Sequence, residues 1–380
     1  MPKRRPVILD GNPYVLDHEA MPAATIFERV GGNTGNMAFR YGVTKSLIGP
    51  TQLNLGNSPG AIRAAGDIVV QPLANQLGKH MKLGQAAERL RAIDLPILGI
   101  GLGAQARSFV QDIELDPGTQ SWLQEVATRA PSAHPNIGAR GPYTKDQIGK
   151  LGFDSAVAVT GCPSNFISGD PNLAAKLAAG FAKPPRRIAV AAGIPHDTAL
   201  TDIERQLADI VTLTDGAYIV QHGIEMIELA CGEFDTMSAE RLELCRKYIM
   251  PLATLDEFKT WCRRYAYAFS DIRPWMEFVR RFDFVVGTRF HGAMLAIQAG
   301  VPAACIAHDS RTLEMCQTMQ IPVCHYKDIK VPMTRYNVMD FFKFDAEAYT
   351  ETRRKLCATY VGILNAADLE PAQGLLRLLS

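Results

Sequence analysis

Residues 283–296 read DFVVGTRFHGAMLA. An apolar, β-branched run over Phe284 to Val286 ends in Gly287 and Thr288, and an apolar helical pattern opens at about His291. A strand feeding directly into a helix is the repeating unit of an α/β fold. The junction carries its own chemistry. Free backbone N–H groups and the positive dipole end of a helix suit phosphate or carboxylate. Arg289 can fork onto an oxyanion, and His291 can move a proton near neutral pH. The bland alternative pairs Arg289 with a structural carboxylate and makes His291 a helix cap. So much chemistry with so little bulk at one edge favours the functional reading.

The same alternation of strand-like and helix-like runs extends along the chain. Strands are read over Asp67 to Gln71, Leu95 to Gly101, Ala156 to Thr160, Ile188 to Gly193, Ala217 to Gln221, Phe284 to Val286 and Pro302 to Ala307. Helices are read over Gln85 to Ala92 and Tyr143 to Leu151, with an amphipathic tail helix over Asp345 to Ala367. With 380 residues the chain is long for a single core, so two domains are expected. The stretch ending in Lys183-Pro184-Pro185-Arg186-Arg187 makes the best boundary. The expected layout is a Rossmann-like domain over 1–170, a linker over 171–187, a second Rossmann-like domain over 188–340, and a C-terminal helix over 341–380 packing back on the first. Ligands bind at the carboxyl ends of such strands, so the two domains should face each other across a cleft.

Lys plus Arg total 40 and Asp plus Glu 39, which gives no overall pull toward nucleic acid. The opening Pro2-Lys3-Arg4-Arg5-Pro6 is basic, but few apolar residues follow before Asp10 and Asn12. No signal peptide is read there, and no run approaches the ~18–20 apolar residues of a membrane span. The eight cysteines form no C-x-x-C pair, which suggests reduced thiols in a cytoplasmic protein. No residue cluster has metal-ligand spacing, so no metal is expected.

Five segments have the composition of loops at strand ends. Gly31 to Ala38 lets backbone approach a ligand but is neither a dinucleotide fingerprint nor a P-loop; a turn with an Asn cap reads equally well. Gly99 to Gln105 clears room above a sheet. Gly138 to Thr144 places Arg140 just before a helix, with Pro142 in its first turn. Thr160 to Phe166 holds Cys162, read as a small buried residue rather than a nucleophile because no His lies near it in sequence. Ala307 to Glu314 follows the next strand, so Asp309, Ser310 and Arg311 should lie beside the Arg289 junction. Tyr265, Tyr267, Phe269 and Trp275 fall in a loop-like region and are read as a hydrophobic pack rather than a sugar platform.

Taken in order, these segments resemble the polysaccharide pyruvyl transferase family. The match is carried by Gly287-Thr288-Arg289-Phe290-His291-Gly292, by Ala299-Gly300-Val301-Pro302, and by His308-Asp309-Ser310-Arg311-Thr312. Gly32-Asn33-Thr34-Gly35-Asn36 is similar to the family's N-terminal G-N-x-G-D/N loop, and Ala139-Arg140-Gly141 to its single-Arg segment. Asn36 stands where many members have Asp, and Gly161-Cys162-Pro163-Ser164 replaces a common Asp-Pro turn, the marks of a branch. The resemblance implies a GT-B-like two-domain fold, phosphoenolpyruvate as donor substrate with no further cofactor, and a pyruvate ketal on a sugar as product. It also implies site roles. His291 and Arg289 would be catalytic; Arg140, Arg289, His291, Gly292, Ser310 and Arg311 would hold the donor; Asn33, Asn36 and Gln105 would face the acceptor. A protonated His291 would deliver a proton or stabilise the departing phosphate. The acceptor is a sugar or glycan, and a lipid-linked one would bring the protein to the inner membrane face; a homo-oligomer is compatible with the sequence. Two other readings stay open: a nucleotide-sugar glycosyltransferase, for which Glu225 and Glu233 have a suitable spacing, and a non-catalytic carbohydrate or phosphate binder.

Overall fold

Strands buried on both faces need near-continuous apolar sequence, and the segments Val69-Val70, Val285-Val286 and Ala303 to Ala307 supply it. The computed structural model describes residues 3–105 and 111–380. Its strands form two parallel sheets of six strands each, covered by helices. The first contains β1 (Pro6–Leu9), β2 (Thr51–Leu53), β3 (Ile68–Pro72), β4 (Ile97–Leu102), β5 (Ile137–Ala139) and β6 (Val157–Val159), in the order β2-β1-β3-β4-β5-β6. The second contains β7 (Ile188–Ala191), β8 (Ala217–Ile219), β9 (Ala266–Tyr267), β10 (Phe284–Gly287), β11 (Ala303–Ala307) and β12 (Val323–His325), in the order β12-β11-β10-β7-β8-β9. The α/β class with two Rossmann-like, GT-B-like halves is therefore present.

The second order is the one that matters for function. Counted along the chain, it is the Rossmann arrangement, in which strand direction of travel reverses between the first and fourth strands. Here those strands are β7 and β10, which pair from Phe284 with Ile188 to Gly287 with Ala191. A crevice must open above that reversal because the helices following the two strands diverge to opposite faces. Residues after Ala191 and Gly287 line it.

The two halves share apolar packing. One continuous core joins Ile8, Val70 and Leu98 of the first sheet to Ala189, Val285 and Ala303 of the second. The Ala346–Ala366 helix closes this core from the side, with Tyr360 fully buried and its hydroxyl 2.7 Å from Ser46 Oγ. Arg353 of that helix is buried and donates to the carbonyls of Asn165, Ser168 and Asp170. Among the described residues no helix is long and apolar enough to cross a membrane.

Two sequence expectations change here. The basic opening segment leads straight into β1, a central strand, with Arg5 paired to Asp67 at 2.9 Å beside it. Of the aromatic group, Phe269 lies in a loop but the others do not: Tyr265 ends the Leu255–Tyr265 helix, Tyr267 lies in β9, and Trp275 is fully buried in the Ile272–Val279 helix. Phe269 stacks on Trp275 at 5.5 Å between ring centroids, so these rings form the hydrophobic pack.

Candidate functional site

The crevice begins where β10 ends. A Cβ on Gly287 would meet the Ala191 carbonyl oxygen at 2.1 Å, so only glycine allows the two strands to keep this register. Thr288 then donates its N–H to Ala191 O at 3.1 Å and its hydroxyl to Glu204 Oε1 at 3.0 Å. Glu204 is fully buried and also accepts from Gly193 N at 2.8 Å and Tyr218 OH at 2.7 Å. Burial pushes its carboxyl above the usual range, against the pull of these donors and of Arg289. With Glu204 committed to this knot, Arg289 emerges as the first residue of the turn into the Phe290–Gln298 helix.

Arg289 is partly exposed, yet its Nε is sealed and has no partner, and among the described residues no carboxylate forms an ion pair with it. Burial lowers its affinity for its proton, and the charge of Arg311 lowers it further. Arg311 lies in the first turn of the Ser310–Met319 helix, whose N-cap Asp309 accepts from Thr312 N at 2.7 Å. Its contact with Asp309 is long, 3.5 Å, and its Nε is likewise buried without a partner. His308 Nδ1 is a third such atom, in an imidazole held below its ordinary pKa by burial first, with Arg289 and Arg311 adding to the shift. An unpartnered buried donor costs about 1–3 kcal/mol, so two on the neighbouring cations Arg289 and Arg311 suit an anion.

Arg140 adds charge from behind. It is 2% exposed and donates to Gly101 O at 2.6 Å and Leu73 O at 3.1 Å. Its guanidinium lies over the Phe39 ring at 5.3 Å and is drawn down in pKa by burial. These bonds pin the ends of β4 and β5, so Arg140 is part scaffold and part source of potential.

His291 sits between the halves. Its ring centroid is 5.8 Å from that of Phe39, and its Nε2 lies 3.7 Å from Cys162 Sγ. A little of the residue meets solvent, but protein surrounds the ring densely, and burial leads the causes that push its pKa well below the ordinary value. Arg140 and Arg311 push the same way. Burial and both arginines thus favour the neutral imidazole, so the expected protonated His291 needs a nearby anion to offset them.

The Gly31 to Ala38 loop docks onto the carboxyl end of β8. Thr34 N donates to Gln221 O at 2.8 Å, and His222 Nδ1 lies 2.6 Å from Gly32 O. Cβ atoms at Gly35 and Gly292 would strike Gln221 Oε1 at 3.0 Å and Gln221 Nε2 at 2.7 Å, so the two glycines form a slot around that amide. Thr34 Oγ1 and Gln221 Nε2 are both buried without partners in this region.

The structure thus gathers Arg289, His291, Gly292 and Arg311 at one crevice, with Ser310 at the helix start beside Arg311 and Arg140 behind. It places the other expected residues differently. Asn33 Oδ1 accepts from Gly35 N at 2.8 Å, within the loop that faces His222. Asn36 donates to Val30 O at 3.2 Å and Gly31 O at 3.1 Å, closing the preceding turn. Gln105 is exposed and accepts from Asn75 Nδ2 at 2.5 Å. Of the spaced glutamates, Glu233 accepts from Ala23 N at 2.9 Å, while Glu225 is buried beside His196 at 3.5 Å. Sequence reasoning passed over Glu204, Gln221 and the nearness of Cys162 to His291. Gln221 carried a usable signal, as a polar residue at the carboxyl end of a strand; the other two depend on contacts far apart in the chain.

The sequence profile of the family described as polysaccharide pyruvyl transferase matches residues 64–310. Among solved structures, the chain is similar to S. aureus MnaA in complex with UDP, at 11% identity over 95% of this chain and 98% of that one, with a TM-score of 0.46. It is similar also to UDP-GlcNAc 2-epimerase from Methanocaldococcus jannaschii, at 12% identity over 94% and 99% of the two chains, with a TM-score of 0.39. No curated relative matches. The profile spans well over half of the chain and includes the whole β10 junction with Arg289 and His291, and on that ground this protein belongs to the polysaccharide pyruvyl transferase family.

Proposed function

We propose that the crevice binds phosphoenolpyruvate and transfers its pyruvyl group to two hydroxyls of a sugar, forming a ketal and releasing phosphate. The observation that carries this reading is the pair Arg289 and Arg311, whose buried Nε atoms lack partners above the strand reversal. The donor carries a carboxylate and a phosphate on adjacent oxygen-bearing atoms, so it needs several cations within a few ångströms. One contact between unit charges at ~4 Å is worth about 4 kcal/mol at an effective dielectric near 20. Arg289 and Arg311 supply direct contacts, Arg140 supplies charge, and the start of the Phe290–Gln298 helix supplies N–H groups at Phe290, His291 and Gly292.

In this reading the methylene carbon takes a proton, a sugar hydroxyl attacks the neighbouring carbon, and a second hydroxyl displaces phosphate. His291 stands at the site as the proton-bearing group and donates through one ring N–H. The acceptor enters from the side of the Gly31 to Ala38 loop. The eight cysteines are all free thiols, in keeping with a reducing, cytoplasmic setting; a lipid-linked acceptor would bring the protein to the membrane face.

Thermal stability of the purified protein with phosphoenolpyruvate, UDP and UDP-sugars tests the reading, since a ligand that binds only the native state raises the melting temperature. A shift with phosphoenolpyruvate that Arg289→Ala removes supports it, as does phosphate release on adding acceptor sugars. A shift with UDP compounds alone would overturn it in favour of glycosyl transfer.

A further inference from the structure

A neutral imidazole has one N–H. If His291 gives that proton to carbon, the ring is left anionic unless its other nitrogen is protonated at the same time. The roughly threefold negative charge of the donor above its second phosphate pKa of about 6 offsets the arginines that lower the His291 pKa, but burial, the leading cause, still opposes a second proton from bulk water. The proton must come from a neighbour of Nε2.

Among the described residues, Cys162 is the neighbour within hydrogen-bond reach of Nε2. Its Sγ lies 3.7 Å from His291 Nε2, and it also accepts the Ser164 hydroxyl at 3.0 Å. With one lone pair taken by Ser164, the sulfur keeps its S–H and a second lone pair, so it donates to Nε2 or accepts from Nε2–H according to the tautomer. Cys162 is completely buried, so it cannot itself touch a substrate. Cys162 belongs to the apolar core, and on its polar side the sulfur lies between a hydroxyl and an imidazole, within electrostatic reach of Arg140.

The turn that carries it is built to hold it there. Gly161 has φ +71°, a left-handed conformation that favours glycine. Cys162 N donates to Met319 Sδ at 3.3 Å. Gly42 leaves room for the following peptide, since a Cβ there would meet Pro163 O at 2.4 Å. Three separate elements therefore fix the sulfur against the ring.

We propose that Cys162 is the positioning residue of His291: its S–H donates to Nε2, fixes the tautomer with the proton on Nδ1, and passes a proton to Nε2 as Nδ1–H is given up. This rests on the pyruvyl-transfer reading. In the step, the Nδ1–H bond breaks as the methyl C–H bond forms, and the S–H bond breaks as Nε2–H forms. The negative charge left on sulfur faces the Ser164 hydroxyl and lies near Arg140. When the sugar hydroxyl attacks, its proton returns to Nδ1 and the Nε2 proton returns to sulfur. The proton of the second hydroxyl leaves with phosphate. The charged and titratable groups facing the ring are Cys162, Arg140 and Arg311, and Phe39 and Phe290 cover its faces.

The test uses the full chain with Cys162→Ala and Cys162→Ser. Nitrogen-15 NMR of the imidazoles, with His291→Gln to assign the signal, should show the Nδ1–H tautomer in the wild type and in Cys162→Ser, and its loss in Cys162→Ala. A wild-type ring protonated on Nε2 would overturn the assignment, whatever the substrate. With phosphoenolpyruvate in D2O, exchange of the vinyl hydrogens should slow at least tenfold in Cys162→Ala and recover in part in Cys162→Ser, with donor affinity changed less than twofold. Equal exchange in wild type and Cys162→Ala, or none in a wild type that binds the donor, counts against the relay. Failure of phosphoenolpyruvate to bind at all would remove the pyruvyl-transfer reading, while the tautomer measurement would still decide the role of Cys162.

Discussion

Glu204 Oε1 receives the Thr288 hydroxyl at 3.0 Å, so a fully buried carboxylate stands directly behind the turn that presents Arg289. The same carboxylate ties Gly193 at the end of β7 and Tyr218 in β8. It is the knot that sets the shape of the crevice floor.

Cutting that knot should be costly. Glu204→Ala strands three donors in a dry interior and leaves a cavity, so a loss of about 3–5 kcal/mol is expected. Glu204→Gln keeps the volume and most acceptor capacity and should lose less than half as much. Urea denaturation of the two variants checks the ordering; equal losses would show that volume rather than hydrogen bonding is at stake.

Arg289 should show opposed effects on stability and binding. Its guanidinium forms no ion pair among the described residues and is largely desolvated, so Arg289→Met should leave the unliganded protein as stable or more stable, by on the order of 1 kcal/mol given its partial exposure. The same change should weaken phosphoenolpyruvate roughly 10–150-fold, the worth of about 1.5–3 kcal/mol for a charged hydrogen bond. Melting curves with and without the ligand measure both, and a simple destabilisation without loss of affinity would contradict the anion site.

The histidines predict an acid-sensitive fold. His222, His291 and His308 are all pushed below the ordinary imidazole value, in each case chiefly by burial. Below about pH 6.5 the unfolded chain takes up protons that the native protein refuses. The stability these rings contribute is therefore complete above that pH and is lost as pH falls toward their native values. Glu204 and Glu314, raised by burial, pull in the opposite direction, so the histidine part is read by difference. His291→Gln should flatten the decline between pH 7 and 5.5; an unchanged slope would show that the ring is freely protonated.

Asn36 gives a test of the Gly31 to Ala38 loop. Its amide nitrogen donates to two carbonyls, which a carboxylate cannot do. Asn36→Asp should cost about 1–3 kcal/mol through carboxylate–carbonyl repulsion and leave donor affinity intact. A neutral result in thermal melts would mean that the loop is not held by this amide.

The periodic parts of the architecture were legible in the sequence, and the reason is physical. Strands such as β4, β10 and β11 are buried on both faces and so announce themselves as apolar runs, and β10 runs straight into the helix that carries His291. Strands of two or three residues, such as β9 and β12, are too short to show any pattern. β1 hides behind a basic opening whose arginine is paired in the folded state. At the site, Arg289 and His291 could be recognised because they share one helix start. The partners that define their behaviour could not: Glu204 lies 84 residues from Thr288, and Cys162 lies 129 from His291. Local composition carries no trace of such pairings, and the downward pull on the imidazole pKa follows only once burial is known.

The apolar core that runs from Ile8 through Trp275 to Tyr360 belongs to neither sheet alone. Halves that swing about a flexible joint need an interface that can part, and here the seam is the interior itself, with the tail helix bolted across it by Arg353. A substitution that opens a cavity in this shared core therefore draws on the stability of both halves at once.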